Sequence, residues 1–266
     1  MAKELQRRLP EVRLVPIVQQ LGRESVATSA SVVGFVFPIH LTTMPYPVRD
    51  FIDRLDVSSA EYIFAAATRT GTLYLADVDL DRVLRKKGHA LDAFFILNMA
   101  TNSPCGLVPR GFPGFQKMVS GWVDKITPAR VRELESEVQS RLDFVQGAVS
   151  DRERHWDGRS PVGTTAKRLA SRLMALTERS TRRQTISFHV DYECTGCGMC
   201  ERVCPSGRIE LVAGVPVWKR EVPCYFCYAC FNCCPEQSIL VEGRYAEKRG
   251  RYLHPDVTPE EIAAQK

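Results

Sequence analysis

Nine of the ten cysteines in this 266-residue chain fall between residues 194 and 234, and eight of them write one pattern twice. Cys194, Cys197, Cys200 and Cys204-Pro205 read C-x2-C-x2-C-x3-C-P; Cys224, Cys227, Cys230 and Cys234-Pro235 repeat it thirty residues later. Three thiolates spaced three residues apart wrap one polynuclear centre in a tight loop. The proline then turns the chain away and carries the fourth thiolate out of that loop's reach. A disulfide framework suits a short secreted chain, not one of this length with a single cysteine outside the cluster. Structural zinc takes two C-x2-4-C pairs separated by a spacer, four ligands per ion, whereas here three cysteines crowd into seven residues, twice.

The doubled run is similar to the ligand runs of bacterial two-cluster ferredoxins, in which the fourth cysteine of each run serves the other run's cluster. That likeness implies two [4Fe–4S] clusters with crossed ligation. Cys194, Cys197, Cys200 and Cys234 take one; Cys224, Cys227, Cys230 and Cys204 take the other. Cys233 sits beside Cys234 and competes with it on paper, but the x3 spacing and Pro235 favour Cys234, leaving Cys233 as a packing thiol. Cys105 reads as a bystander of the same kind. Tyr225, Phe226, Tyr228 and Phe231 interleave the second run and read as water-excluding packing, which itself bears on cluster potential.

The remaining length accommodates one further domain of ordinary size. No apolar run approaches the ~18 residues of a membrane span, and Met1 opens onto Lys3, Glu4, Arg7 and Arg8 with no signal-peptide core. A cytoplasmic location is expected, since clusters of this kind fit a reducing compartment. The net charge of +5 is mild. The densest basic stretch, Arg179 to Arg183, lacks the aromatic platform or motif that nucleic-acid binding requires, and reads as a solvated linker.

Residues 1–150 alternate strand-like apolar runs with amphipathic helices, the pattern of an α/β domain on a parallel sheet. Val12–Val18, Val32–Phe37, Tyr62–Ala67 and Ala93–Leu97 read as strands, the second as buried on both faces. Pro45–Leu55 and Asp77–Lys87 read as helices, the latter stopped by Gly88. Residues 100–121 read as a long loop, and a helix starts at Thr127-Pro128 with Val131, Leu134, Val138, Leu142 and Val145 as its apolar stripe. Residues 151–185 read as a helical linker with Leu169, Leu173 and Leu176 on one face. The cluster module spans 186–243, with Ile209–Val212 and Val215–Trp218 as a hairpin. The tail, 244–266, ends in a helix opened by the capping box Thr258-Pro259-Glu260-Glu261.

Strand–loop–helix units followed by two ferredoxin runs resemble the flavodoxin–ferredoxin fusion family. Three segments carry the likeness beyond the cysteines: Gly34 to His40, Met44-Pro45 leading to Phe51, and Gly250 to Pro255. The resemblance implies a flavodoxin-like FMN domain ahead of the two-cluster ferredoxin, with flavin-ring loops at Pro38–Thr43 and Thr68–Thr72. Pro38, His40, Thr68 and Gly71 are the residues it nominates. One departure matters. The family opens with a buried strand and a Thr/Gly/Asn/Ser-rich loop gripping the FMN phosphate at a helix N-terminus. Here Met1–Leu5 already resembles the middle of that first helix, so strand and phosphate loop are absent. Three readings follow: a start at an internal Met, which is the one expected; completion of the sheet by another chain in an oligomer; or genuine loss of FMN.

No hydrolytic or acid–base constellation emerges, and the five histidines are scattered. The leading expectation is an electron-transfer protein that meets a redox partner protein and passes single electrons through two clusters, to or from an FMN where one binds. The alternatives are an FMN-dependent reductase fed by its ferredoxin module, and a cluster-only carrier whose N-terminal domain is a docking platform.

Overall fold

Every second residue of a strand points to the same face of a sheet, and that alternation organises the N-terminal half. A computed structural model of the protein describes residues 1–40, 42–70, 74–102, 111, 113–123, 126–157, 165–173, 187–242, 248 and 250–266. By contacts the chain divides into one unit of Met1–Met99 with Arg132–Arg179 and a second of Ala100–Val131 with Ser180–Lys266.

In the first unit α1 (Ala2–Arg8), β1 (Val26–Ala27), β2 (Val32–Pro38), α2 (Tyr46–Arg54), β3 (Leu55–Asp56), β4 (Tyr62–Arg69), α3 (Ala76–Arg85) and β5 (Ala93–Asn98) follow in turn. After α4 (Phe115–Val123) of the second unit come α5 (Pro128–Ser150), β6 (His155–Trp156) and α6 (residues 165–173). β2, β4, β5 and β6 form a parallel sheet in that order, and β1 pairs parallel with β3. Parallel neighbours require crossovers. Between β2 and β4, and between β4 and β5, the helices α2 and α3 lie in them. Phe35, Phe37, Ala65, Ala67, Phe94 and Ile96 face one side with Val48, Phe51 and Ile52 of α2 and Leu80, Val83 and Leu84 of α3. Tyr62, Phe64, Ala66, Phe95 and Leu97 face the other, with Leu5 of α1 and Val138, Leu142 and Val145 of α5. Each such buried Leu or Phe contributes about 1.5–3 kcal/mol. The unit is therefore an α/β domain.

Val12–Val18 is not a strand; residues 12–16 are irregular and a 3-10 turn covers Ile17–Gln20. An apolar run without a neighbour to share ladder hydrogen bonds has no reason to hold β geometry. β2 is the edge of its sheet, so Val32 and Val33 are half-buried and Gly34 is exposed, contrary to the doubly buried strand expected. The segment read as a loop from 100 to 121 contains the start of α4. Within the polar stretch after α5, His155 and Trp156 add a parallel strand opposite Ala93 and Phe94. The apolar stripe of α6 faces outward: Leu169 and Leu173 are exposed, while Lys167 and Ser171 are buried on Asp77 and Asp79 of α3. Gly71, Thr72, Cys105, Leu176 and the basic stretch Arg179–Arg183 lie outside the described residues.

The second unit holds β7 (Phe188–Val190), α7 (Met199–Arg202), β8 (Ile209–Val212), β9 (Val215–Trp218), α8 (Ala229–Asn232), β10 (Ile239–Val241) and α9 (Pro259–Ala263). β7 and β10 pair antiparallel, as do β8 and β9. Ala213 and Gly214 turn the β8–β9 hairpin, both at positive φ, as a two-residue turn of matching twist requires. Ile209, Phe231, Ile239 and Val241 form a small core with Phe115 of α4. Thr258 and Glu261 make the reciprocal capping box at the start of α9. Among the described residues no helix is long and apolar enough to cross a membrane.

Candidate metal centre

The cysteine runs fold as a structural repetition with a thirty-residue offset. Gly196, Gly198 and Gly207 take φ of 67, 74 and 67°, and Phe226, Tyr228 and Gln237 take 55, 55 and 53° at the matched positions. α7 and α8 start one residue after the second member of each set. Glycine adopts this left-handed backbone freely, whereas an L side chain pays roughly 1–2 kcal/mol. Phe226 and Tyr228 hold it nonetheless, because the turn that presents the cysteines dictates it and Tyr228 is buried against Phe231 and Phe188. In the first half the backbones close tightly: a Cβ on Gly196 would come 2.5 Å from the Gly214 carbonyl oxygen.

Around the first turn, Cys194, Cys197, Cys200 and Cys234 together line one cavity, with Leu211, Pro216 and Ile239 as its apolar wall. Burial pushes the Cys200 thiol up to about 11, and Cys234, Cys197 and Cys194 are the thiols that repel its ionised form. In the second half burial pushes Cys227 up to about 12, with Cys224 and Cys204 adding to it. Cys230 is driven well above its ordinary range by burial and then by Cys227, Cys224, Cys204 and Cys200. Cys234 thus stands with the thiols of the first turn and Cys204 with those of the second, while Cys200 of the first also bears on Cys230 of the second. Sulfur also accepts local hydrogen bonds: Phe226 N–H donates to Cys224 Sγ at 3.4 Å, and Ser238 N–H to Cys234 Sγ at 3.3 Å. Such bonds stabilise thiolate over thiol and bear on the potential of a bound cluster.

Cys233 stands where the first half has Val203, and both are buried, at 6% and 2% exposure. Burial pushes its thiol up to about 11, with Glu260 and then Cys234 as its charged neighbours. No three His, Cys, Asp or Glu side chains among the described residues are placed to hold a single metal ion. A soft, four-sulfur donor set around an apolar-walled cavity fits a [4Fe–4S] cluster, which thiolates ligate.

Comparison with known families decides the point. Residues 193–239 match the family model of the 4Fe-4S dicluster domain. That segment is a ferredoxin-type dicluster domain. It gives the chain an iron–sulfur electron-transfer role. No curated protein and no solved structure matches the chain.

Of the residues nominated for flavin contact, Pro38, His40 and Thr68 stand at the C-terminal ends of β2 and β4. Pro38 is in register with Thr68, whose carbonyl accepts from Ile39 N–H at 2.8 Å. His40 exchanges backbone hydrogen bonds with Thr43 at 2.9 Å each way, closing the loop on itself. Thr43 Oγ1 then donates to buried Asp79 at 2.6 Å. Burial pushes the His40 imidazole down to about 4, so it is neutral at physiological pH. A cavity of about 350 Å³ opens nearby at the ends of β4 and β5, lined by Arg69, Tyr74, Asn98, Arg141 and Asp157 among others, but not by Pro38, His40 or Thr68.

Sequence reasoning passed over Arg208, which is buried, and Glu236, which is exposed at the rim of the cavity of Cys194, Cys197, Cys200 and Cys234. The available signal was positional: after each Cys-Pro, the matched residues are Ser206 against Glu236 and Arg208 against Ser238.

Proposed function

We propose that the chain relays single electrons through two [4Fe–4S] clusters, one on Cys194, Cys197, Cys200 and Cys234 and the other on Cys224, Cys227, Cys230 and Cys204. The observation that carries this reading is the pairing of thiols across the repetition, with Cys234 beside the first turn and Cys204 beside the second. Each cluster, when bound, supplies a one-electron couple. The chain's residues do the rest. Gly196, Gly198, Phe226 and Tyr228 bend the backbone so that three sulfurs face one centre. Phe231 and Tyr228 pack with Cys230 and keep water from it, and Ile239 does the same at the cavity of Cys194, Cys197, Cys200 and Cys234. The raised thiols release protons on loading, so assembly is favoured as pH rises.

Anaerobically reconstituted protein should hold about eight iron atoms per chain, with a broad absorbance that dithionite bleaches. Iron at or below about two atoms would sink the two-cluster reading. Cys234→Ser should lose one cluster and Cys233→Ser neither; the reverse would place Cys233 among the ligands.

The second reading adds a flavodoxin-like first unit that binds FMN, making the chain a flavin reductase or relay. The cavity at the ends of β4 and β5 favours it, since open α/β sheets bind ligands at the carboxyl ends of their strands. Acid treatment of protein purified with flavin should then release fluorescent FMN. A colourless supernatant removes the flavin and leaves the cluster carrier.

A further inference from the structure

The thirty-residue repetition puts Arg208 where Ser238 stands in the other half. Ser238 is fully buried and neutral, and its N–H donates to Cys234 Sγ. Arg208 is 4% exposed. Its Nε and Nη1 meet no hydrogen-bond acceptor among the described residues, and no carboxylate there pairs with it. The guanidinium instead lies against Cys224, whose thiol burial pushes up and Arg208 helps draw back down. Arginine keeps its proton in proteins, and a buried charge without a partner is strongly unfavourable. A buried cation aimed at a set of cysteines is therefore placed for an anion, and four thiolates around a cluster make one. Among the described residues, the cavity of Cys194, Cys197, Cys200 and Cys234 has no such buried cation in its lining, and the one charged residue there, Glu236, is exposed.

We propose that Arg208 makes the two sites electrically unequal, favouring the reduced state at the site of Cys224, Cys227, Cys230 and Cys204. This rests on the crossed-ligand reading above. Each added electron makes a thiolate-ligated cluster one unit more negative, and a fixed positive charge in a medium of low dielectric stabilises that state over the oxidised one. An electron delivered to the Cys194 site then passes to the Cys224 site. One cluster is oxidised by one electron and the other reduced by one, with no proton moved and no bond broken. Charge asymmetry thereby gives the module a direction.

The test is an anaerobic potentiometric titration of the reconstituted full-length chain with dithionite, followed by electron paramagnetic resonance, with iron determined on every sample. Wild-type protein should show two couples separated by at least tenfold in reduction equilibrium, which is 59 mV for one electron. Arg208→Gln should lower the higher couple by at least tenfold and leave the lower one in place, while Arg208→Lys should preserve most of the gap. Two coincident couples in the wild type would overturn the proposal without any variant. It would equally fall if Arg208→Gln moved neither couple, or only the lower. Wild-type iron short of two clusters would instead defeat the ligand reading beneath it, so the two failures are told apart.

Discussion

Lys167 Nζ stands 3.0 Å from Asp77 Oδ2, and both side chains are buried. The same ammonium lies 4.4 Å from the centre of the Tyr74 ring, and Trp156 Nε1 donates to the same carboxylate oxygen at 3.2 Å. This pair ties α6 to α3. Removing one partner of a buried pair strands the other, so Lys167→Met should destabilise the first unit by about 3–5 kcal/mol. Adding Asp77→Leu should recover most of the loss. The midpoint of chemical denaturation measures both; a single variant within about 0.5 kcal/mol of wild type would show the pair to be solvated.

Gly196 is constrained twice, by φ of 67° and by the Gly214 carbonyl 2.5 Å from where a Cβ would sit. Gly196→Ala should cost more than the roughly 1–2 kcal/mol of a left-handed L residue, because backbone must also move. Iron per chain after reconstitution is the readout, and half the wild-type content is the expected result. Gly198→Ala, whose nearest neighbour would be a Leu211 methyl at 3.8 Å, should retain more iron. Equal retention by both would refute the close-approach argument.

How much of this was legible in the residues differs by element. β4 and β5 announced themselves as continuous apolar runs because both faces of the sheet are covered. β6 did not, since its two residues are strand only by virtue of pairing with Ala93 and Phe94, a long-range relation that local pattern cannot carry. Val12–Val18 failed for the converse reason. The stripe of α6 misled because two buried acids on α3, Asp77 and Asp79, select its polar side. At the metal centre the ligand types and their spacing were plain in the chain. The buried charge of Arg208 was not, because a single arginine after a Cys-Pro reads as surface until its surroundings are known.

Asp157 gives the first unit an acid limb. Burial raises its carboxyl, but the Ile96 N–H at 2.7 Å, the Arg141 ion pair and His155 Nε2 at 2.8 Å outweigh it and hold it below its ordinary value. A depressed carboxylate contributes stability that is fully present above the unfolded pKa of about 3.9 and is lost as pH falls through the lower folded value. Asp157→Asn should cost about 1–3 kcal/mol at neutral pH, and the difference from wild type should shrink below about pH 4. A gap that stays constant down to the acid transition would contradict the assignment.

Arg251 straps the tail onto the second cysteine turn. Its guanidinium stacks 3.7 Å over the Phe231 ring and donates to the carbonyls of Phe231, Gln237 at 2.5 Å and Ile239 at 2.8 Å. Arg251→Ala strands these acceptors and should lower the stability of the second unit by about 2–4 kcal/mol. Arg251→Lys should restore little, because an ammonium cannot reproduce the planar fork. Thermal melting of the loaded protein distinguishes the two; full rescue by lysine would reduce the strap to simple charge.

Gly198 and Tyr228 occupy matched left-handed positions, and the difference between them governs how each half ages. Beside the glycines Cys197 is exposed, whereas its match Cys227, next to Tyr228, is half-buried. Dissolved oxygen attacks where the cover is thinnest. In air a loaded chain should therefore weather from its glycine-lined end, and the molecule that survives a first oxidative injury keeps the centre under the aromatic rings.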